Sequence, residues 1–301
     1  MKLSELIARN LSISASALSD DKEMSREIQK HLVRLGVLDP PVDGDFGPAS
    51  LFGLREFLRA AGAGSTAAVI DAPLAKKLVE TEAVFPVDAK AANLTNAIWK
   101  AAVDKQYWLA RAPGYVNIVY VEGANADGST NDNRPNQFND LRVVLTVRNG
   151  KPAILGKWDA TTEPGKFYTE HPLNPLGAAR IAFGQYKAWV VGTHGSGAGA
   201  HEALVQRGVI KVHRDLNKDY KRDASDPIDT GASFAVNQHW GYDLPLTDIG
   251  KASAGCLVGR TKAGHRSFMA IVKEDPRYKA NNSYRFMTAI VAASDIQPYL
   301  S

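Results

Sequence analysis

One cysteine, Cys256, stands in 301 residues. A lone thiol cannot close an intramolecular disulfide, so no covalent framework holds this fold, and the thiol is either free or reactive. Long apolar runs are also missing. The opening stretch MKLSELIARNLSISASALSD is interrupted by Glu5, Arg9 and Asn10 before it reaches signal-peptide length. No later segment approaches the roughly 20 apolar residues of a membrane-spanning helix. The expectation is a soluble protein without a Sec signal of its own. No HExxH helix motif, no long-period repeat and no low-complexity tract is present. Lys and Arg number 36 against 32 Asp and Glu, a net charge of +4. That surplus suits an anionic partner, but no basic stripe interleaved with aromatics accompanies it, so nucleic-acid binding is not expected. With 45% hydrophobic and 23% charged residues the chain has the composition of an ordinary globular protein with a packed core.

What is present changes texture along the chain. Over residues 22–80 the apolar residues keep helical spacing: Ile28, Leu32 and Leu35 recur at three- and four-residue intervals, with Gly36 as a stop. The turn-rich LDPPVDGDFGPAS follows, then Leu51, Leu54, Phe57 and Leu58 resume the helical period. A third amphipathic piece, PLAKKLVE, opens at Pro73, where a missing amide hydrogen costs nothing. After a connecting region with one helix, closed by Ala112, Pro113 and Gly114, the period changes to two. YVNIVYVEG and LRVVLTV are strand-like, Asn149-Gly150 predicts a hairpin turn before PAILGKW, and RIAFGQYKAWVVG and SFAVNQHW continue the β texture. GHRSFMAIVKED and SYRFMTAIVAAS read as a helix and a closing strand.

The pieces IQKHLVRLG, DGDFGPAS and LREFL resemble the small three-helix peptidoglycan-binding domain of bacterial wall enzymes. In this reading Gly44 and Gly47 permit positive φ and Phe46 plugs the helix pair, so Asp43, Gly44 and Phe46 are structural rather than ligand contacts. VIDAPLAKKL occupies the place where that family often repeats a shorter Asp-Gly motif, and lacks its glycine.

The lone thiol lies in QHWGYDLPLTDIGKASAGC, with His239 seventeen residues upstream and Gly255 directly before it. An unassisted cysteine with a pKa of about 8.5 is mostly protonated at neutral pH and needs a base or a positive neighbour. Gly241, Pro245, Asp248 and Gly250 supply enough turn chemistry to bring His239 back to Cys256. Gly255 lets the amides of residues 255 and 256 approach a substrate oxygen as an oxyanion site.

His239, Ser253, Gly255 and Cys256, in that order, resemble the signature of the L,D-transpeptidase (YkuD-type) catalytic domain. Ala254 departs from it, since the family commonly has histidine there, and Val258 stands where its commoner form has arginine or asparagine. The resemblance implies a β-rich fold and acyl transfer on the stem peptide of peptidoglycan. Cys256 would be the nucleophile and His239 the base, with Ser253 orienting the imidazole or holding a turn. No cofactor or metal is needed. Release by water gives a carboxypeptidase or endopeptidase, as in an endolysin, and release by an amine gives a transpeptidase. The missing signal favours water, and an enzyme that reaches the cell wall or periplasm by lysis or a dedicated export route.

Around this centre, Arg260 is a candidate for a stem-peptide carboxylate, which its planar fork suits. Asp243 and His213 are candidates to line the substrate groove, and Tyr242 to stack on sugar or pack. Two other readings stand beside this one. His194, His201, His213 and His239 with Asp215 and Asp243 offer ligands for a zinc-dependent peptidoglycan peptidase, although no closed ligand spacing appears. A non-catalytic wall-binding protein with a degenerate catalytic domain is the other. The expected architecture is an α+β multidomain chain: a helical peptidoglycan-binding domain over 1–82, a linker with a helix over 83–113, and a mainly β catalytic domain over 114–301.

Overall fold

The computed structural model describes residues 1–62 and 69–300, an α+β protein that divides into two compact units. Unit 1 comprises Met1–Asp88, Trp108–Tyr115 and Thr146–Lys151, and unit 2 comprises Ala89–Tyr107, Val116–Leu145 and Pro152–Ser301. No helix among the described residues is long and apolar enough to cross a membrane.

Unit 1 holds the helices α1 (Leu3–Ala8), α2 (Lys22–Arg34), α3 (Pro48–Ala60) and α4 (Ala72–Glu80). Its short strands β1 (Ser12–Ser14) and β2 (Val69–Asp71) pair antiparallel. α2 starts where the Asp21 carboxylate accepts the Met24 amide at 3.0 Å, satisfying one of the amides a helix start leaves open. It buries Met24, Ile28 and Leu32 against Leu54, Phe57 and Phe46. The DGDFG loop is built round Gln29. The Gly44 amide donates to Gln29 Oε1 at 2.8 Å, and Gln29 Nε2 lies 2.8 Å from Asp43 Oδ1 and 3.0 Å from the Asp45 carbonyl. Gly44 has φ +84, as expected, whereas Gly47 has φ −88 and serves as the N-cap of α3. The helical period of 22–80 is therefore present as helices, with α1 and the β1–β2 pair added by residues whose periodicity is too short to read.

In unit 2, α5 (Leu94–Asp104) comes first, started by Asn93 accepting the Asn96 amide. Strands β3 (Asn117–Glu122), β4 (Asp140–Arg148) and β5 (Lys151–Thr161) follow, with Thr146–Lys151 at the β4–β5 turn counted in unit 1, then the short α6 (Lys166–Glu170). After these come β6 (Ala178–Ile181), β7 (Gly184–His194), β8 (His201–Gln206), β9 (Ile210–Asp215), β10 (Ile228–Gly231), β11 (Gln238–Trp240) and β12 (Leu257–Gly259). The chain closes with α7 (Lys262–Lys273), α8 (Pro276–Ala280), β13 (Phe286–Ala292) and α9 (Ala293–Ile296). Eight strands form a closed barrel in the order β11, β12, β5, β4, β3, β13, β7, β8, and β10, β9 and β6 form a separate antiparallel sheet. Closure removes the open edges a flat sheet would expose.

Strand alternation explains why β3 is buried along its whole length. Ile118 and Tyr120 join one core with Val144, Trp189 and Phe286, while Val119 and Val121 join another with Leu141, Val143 and Ala97 of α5. The helix expected in a linker thus packs as part of unit 2. The run RIAFGQYKAWVVG splits between β6 and β7, which belong to different sheets, and only residues 238–240 of SFAVNQHW are strand.

Arg180 of β6 and Asp215 of β9 belong to a buried charge network. Arg180 bridges Glu163 at 2.8 Å and Asp215 at 3.1 Å, and Arg222 bridges Glu122 at 2.6 Å. Thr162 Oγ1 lies 2.8 Å from Glu122 Oε2 and 2.9 Å from Asp140 Oδ2. A hydroxyl has one hydrogen, so Thr162 Oγ1 can fully satisfy only one of these two carboxyls. Glu122 is held below the usual range by Arg222 despite its burial. Asp140 has no cation bonded to it among the described residues, and burial followed by repulsion from Glu122 and Glu163 pushes it well up.

Candidate active site

β11 and β12 run parallel, with Gln238 opposite Leu257 and His239 opposite Val258. Extended by one residue, that register sets Asn237 opposite Cys256, and the Leu257 amide indeed donates to the Asn237 carbonyl at 2.9 Å. Side chains two apart share a face, so His239 and Cys256 lie on the same side of the pair. Gln238, between Asn237 and His239, points the other way, where its Nε2 donates to Thr288 Oγ1 at 2.8 Å.

The turn before the sulfur is held by Ser253, which is fully buried. Its hydroxyl donates to the Cys256 carbonyl at 2.9 Å and accepts the Gly255 amide at 3.1 Å. Of the two alternatives read for Ser253, the turn is where it is found. The Gly255 amide is thereby used, so the oxyanion site expected from residues 255 and 256 is reduced to the amide of Cys256. Gly255 has φ +124, and a Cβ there would stand 2.5 Å from the Ala179 carbonyl oxygen. Gly255→Ala is expected to cost about 2–5 kcal/mol, combining left-handed strain with overpacking, read as a fall in the urea midpoint at unchanged slope.

Cys256 and His239 open onto one cleft of about 570 Å³, whose wall also includes Gly255, Tyr242, His194 and Arg214. The two do not hydrogen-bond. The Cys256 thiol faces the Ala235 carbonyl at 3.4 Å and accepts the Asn237 amide at 3.4 Å. His239 is 2% exposed, its Nδ1 is 2.8 Å from the Trp240 carbonyl, and its ring stacks on His194 with centroids 3.8 Å apart. Burial pushes the thiol up to about 11, against the opposing Asn237 amide. Burial also drives His239 well below the ordinary imidazole range, with repulsion from His194 adding to it. At neutral pH the pair rests as thiol and neutral imidazole.

Of the four candidates for substrate contact, Arg260, Asp243, His213 and Tyr242, Tyr242 lines this cleft. Arg260 does not. Its Nε donates to Asp159 and its Nη1 to the Leu244 carbonyl, both at 3.3 Å, beside a separate hollow of about 230 Å³ with Lys157 and Trp158. Asp243 is bound to the start of α7, accepting the Lys262 amide at 2.8 Å, and is drawn away from the groove it was expected to line. His213 sits within β9 between Arg180 and Ile228, outside the cleft. Its neighbour Arg214 takes the opposite face of the strand and reaches the cleft, held by Asp229 at 2.8 Å. Lys251 joins it there, 4.0 Å from the Phe167 ring centroid. No aspartate or glutamate lines the cleft among the described residues.

Sequence reasoning weighed His194 only as a zinc ligand and passed over Arg214, Lys251 and Asn237. The signal for Arg214 is the alternation of Ile210, Val212 and Arg214 along β9, a segment the sequence reading did not assign to a strand. For the zinc reading, His194 and His239 meet face to face rather than with converging nitrogens, Asp215 is bound to Arg180 and Asp243 to Lys262. Among the described residues no group of three or more His, Cys, Asp or Glu is disposed to hold a metal ion.

No protein-family model matches the chain, and no curated protein matches it. Two solved structures align over most of its length. One is a fused Zn-dependent amidase/peptidase/peptidoglycan-binding domain-containing protein from Clostridium acetobutylicum ATCC 824, at TM-score 0.27 and 10% identity, covering 93% of this chain and 99% of the other. The second is an L,D-transpeptidase from Xylanimonas cellulosilytica DSM 15894, at TM-score 0.26 and 14% identity, covering 88% and 92%. At TM-scores of this size neither carries its activity over to this chain, whose chemistry is argued from its own cleft.

Proposed function

We propose that the cleft performs cysteine-dependent acyl transfer on carboxylate-bearing peptides of the peptidoglycan stem, through a thioester on Cys256. The observation that carries this reading is one cleft holding a thiol, an imidazole on the same sheet face, and two cationic side chains, Lys251 and Arg214, the latter paired with Asp229, which is not part of the cleft wall. Such a wall favours a ligand with an anionic end, and Lys251, together with the Asp229-paired Arg214, takes the carboxylate role first sought in Arg260.

The chemistry follows from the resting charges. As the sulfur turns from the Ala235 carbonyl toward the substrate carbonyl at the L,D-configured bond after the diamino acid, His239 Nε2 accepts the thiol proton. The sulfur–carbon bond forms, the amide carbon–nitrogen bond breaks, and the imidazolium returns the proton to the leaving amine, releasing D-alanine. Water then adds to the thioester, His239 takes its proton, and the thiolate leaves and is reprotonated. An amine in place of water gives a cross-link; water is the acceptor we favour. The helical unit would hold the insoluble polymer and raise the local substrate concentration, placing the enzyme at the bacterial cell wall.

Mass spectrometry of defined muropeptides incubated with the protein and with Cys256→Ala tests this. Loss of D-alanine is expected with the wild type alone. Identical product profiles remove the mechanism, and binding to sacculi without any product would leave a non-catalytic wall-binding protein.

A further inference from the structure

Two imidazoles, not one, face the cleft of the sulfur: His194 at the end of β7 and His239 on β11. Their rings lie nearly parallel, 8° apart. Asn237 connects them to the thiol, because its backbone amide reaches Cys256 Sγ while its side chain reaches His194.

The protons on these rings follow from partners that allow no choice. Asn237 Oδ1 accepts the Gln206 backbone amide at 2.9 Å, and a backbone amide can only donate, so the carboxamide has one orientation. Its Nδ2 then faces His194 Nδ1 at 3.0 Å and can only donate as well. His194 Nδ1 therefore carries a lone pair, and the proton of the neutral ring sits on Nε2. His239 is the reverse. Its Nδ1 faces the Trp240 carbonyl, which can only accept, so the proton is on Nδ1 and the lone pair on Nε2. Neither Nε2 is sealed away as a buried atom without a partner.

We infer that the stacked rings are held in opposite tautomers and divide the work of acyl transfer: His239 Nε2 takes the thiol proton, and His194 Nε2–H donates to the substrate oxygen that gains charge as Cys256 attacks. Asn237 is the positioning residue. This rests on the acyl-transfer reading above. It also answers a local need, since the Gly255 amide is bound to Ser253 and the Cys256 amide alone is a weak oxyanion site. Burial and the neighbouring His201 keep His194 below the ordinary imidazole range, so it stays neutral and the two rings do not repel as a charged pair.

The test reads the protons directly. Long-range ¹⁵N–¹H correlation spectra of the uniformly labelled chain at pH 7.5, assigned with His194→Gln and His239→Gln, are expected to show Nε2–H on His194 and Nδ1–H on His239. Asn237→Asp keeps an acceptor for the Gln206 amide but offers His194 a second acceptor, and is expected to place a proton on His194 Nδ1. A wild-type His194 protonated at Nδ1, or an Asn237→Asp spectrum unchanged from wild type, overturns the inference whether or not the protein is active.

The functional arm measures thioester formation on Cys256 from an activated acyl donor, relative to alkylation by iodoacetamide, which builds no oxyanion. His194→Ala is expected to lower that ratio about 10²-fold, with partial recovery in His194→Gln, which retains a donor. An unchanged ratio removes the donor role while leaving acyl transfer intact. A wild-type protein that forms no thioester removes the acyl-transfer reading and the division of work with it, while the tautomers stand or fall on the spectra.

Discussion

At pH 7.5 Cys256 is expected to react with iodoacetamide about 30-fold more slowly than a free cysteine, with a rate that climbs with pH until about 11, to which burial pushes its thiol. The figure follows from two opposed effects. Moving a thiol from a pKa of about 8.5 to about 11 cuts the thiolate fraction roughly 300-fold, and the greater nucleophilicity of a more basic thiolate restores about tenfold. The physical cause is burial of the thiol, and His239 does not offset it: the ring is itself buried, stacked on His194, and near His201 and His265, so a standing thiolate–imidazolium pair is disfavoured. The base must act during attack rather than before it. His239→Ala is accordingly expected to slow acylation by an activated donor by about 10²–10⁴-fold. Alkylation that levels off near neutral pH would show a preformed ion pair instead, and an alanine variant acylating at the wild-type rate would remove His239 as the base.

Arg180→Met should destabilise the protein by about 3–5 kcal/mol at pH 8, the largest stability effect expected of a single substitution here. Arg180 is fully buried between Glu163 and Asp215, so its loss leaves two carboxylates without their cation in a low-dielectric interior. The deficit should shrink as pH falls and Glu163 takes up its proton. The wild type carries a related slope. Burial, outweighing Arg180, pushes Glu163 up to about 7 from an ordinary 4.5, so between those values the folded state holds a proton that the unfolded chain has released. With the folded state binding more protons, this contribution is complete below pH 4.5 and is lost as pH rises through 7. Asp140 adds in the same direction. Urea midpoints measured from pH 5 to pH 8 in wild type and variant check both statements. A deficit that grows on acidification would show that the two carboxylates are not what Arg180 neutralises.

The consequence reaches the cleft. Arg180 is the residue after Ala179, whose carbonyl packs against Gly255, and Ala178 and Ala179 form part of the cleft wall. A substitution made for stability at Arg180 should therefore also disturb the turn that presents the sulfur.

Particular residues show how far local pattern reaches. The helices of residues 22–80 were legible because Ile28, Leu32, Leu54 and Leu58 recur at a helical period and each is buried. Asn149-Gly150 was legible because both residues must take positive φ in a tight hairpin, as they do. The strand pair around the sulfur was half legible. His239 and Cys256 stand on one cleft, but nothing local foretold that Cys256 would face Ala235 and that His239 would give its Nδ1 proton to Trp240. Arg260 and Asp243 were misplaced because both lie beside the site in sequence, whereas β12 ends between Cys256 and Arg260 and the chain turns away into α7.

Taken alone, the order of residues determined which groups could react: a single thiol, a glycine directly before it, and a histidine close enough to return. These are properties of chemistry and short-range geometry, and a linear string carries them. The tertiary structure decided which groups meet. Barrel closure brings β7 and β11 into the same wall, and so sets His194 on His239; the face that β9 turns inward selects Arg214 over His213. Pairing across long stretches of chain chooses the buried face, and the depth of that burial then sets how readily each group can carry charge.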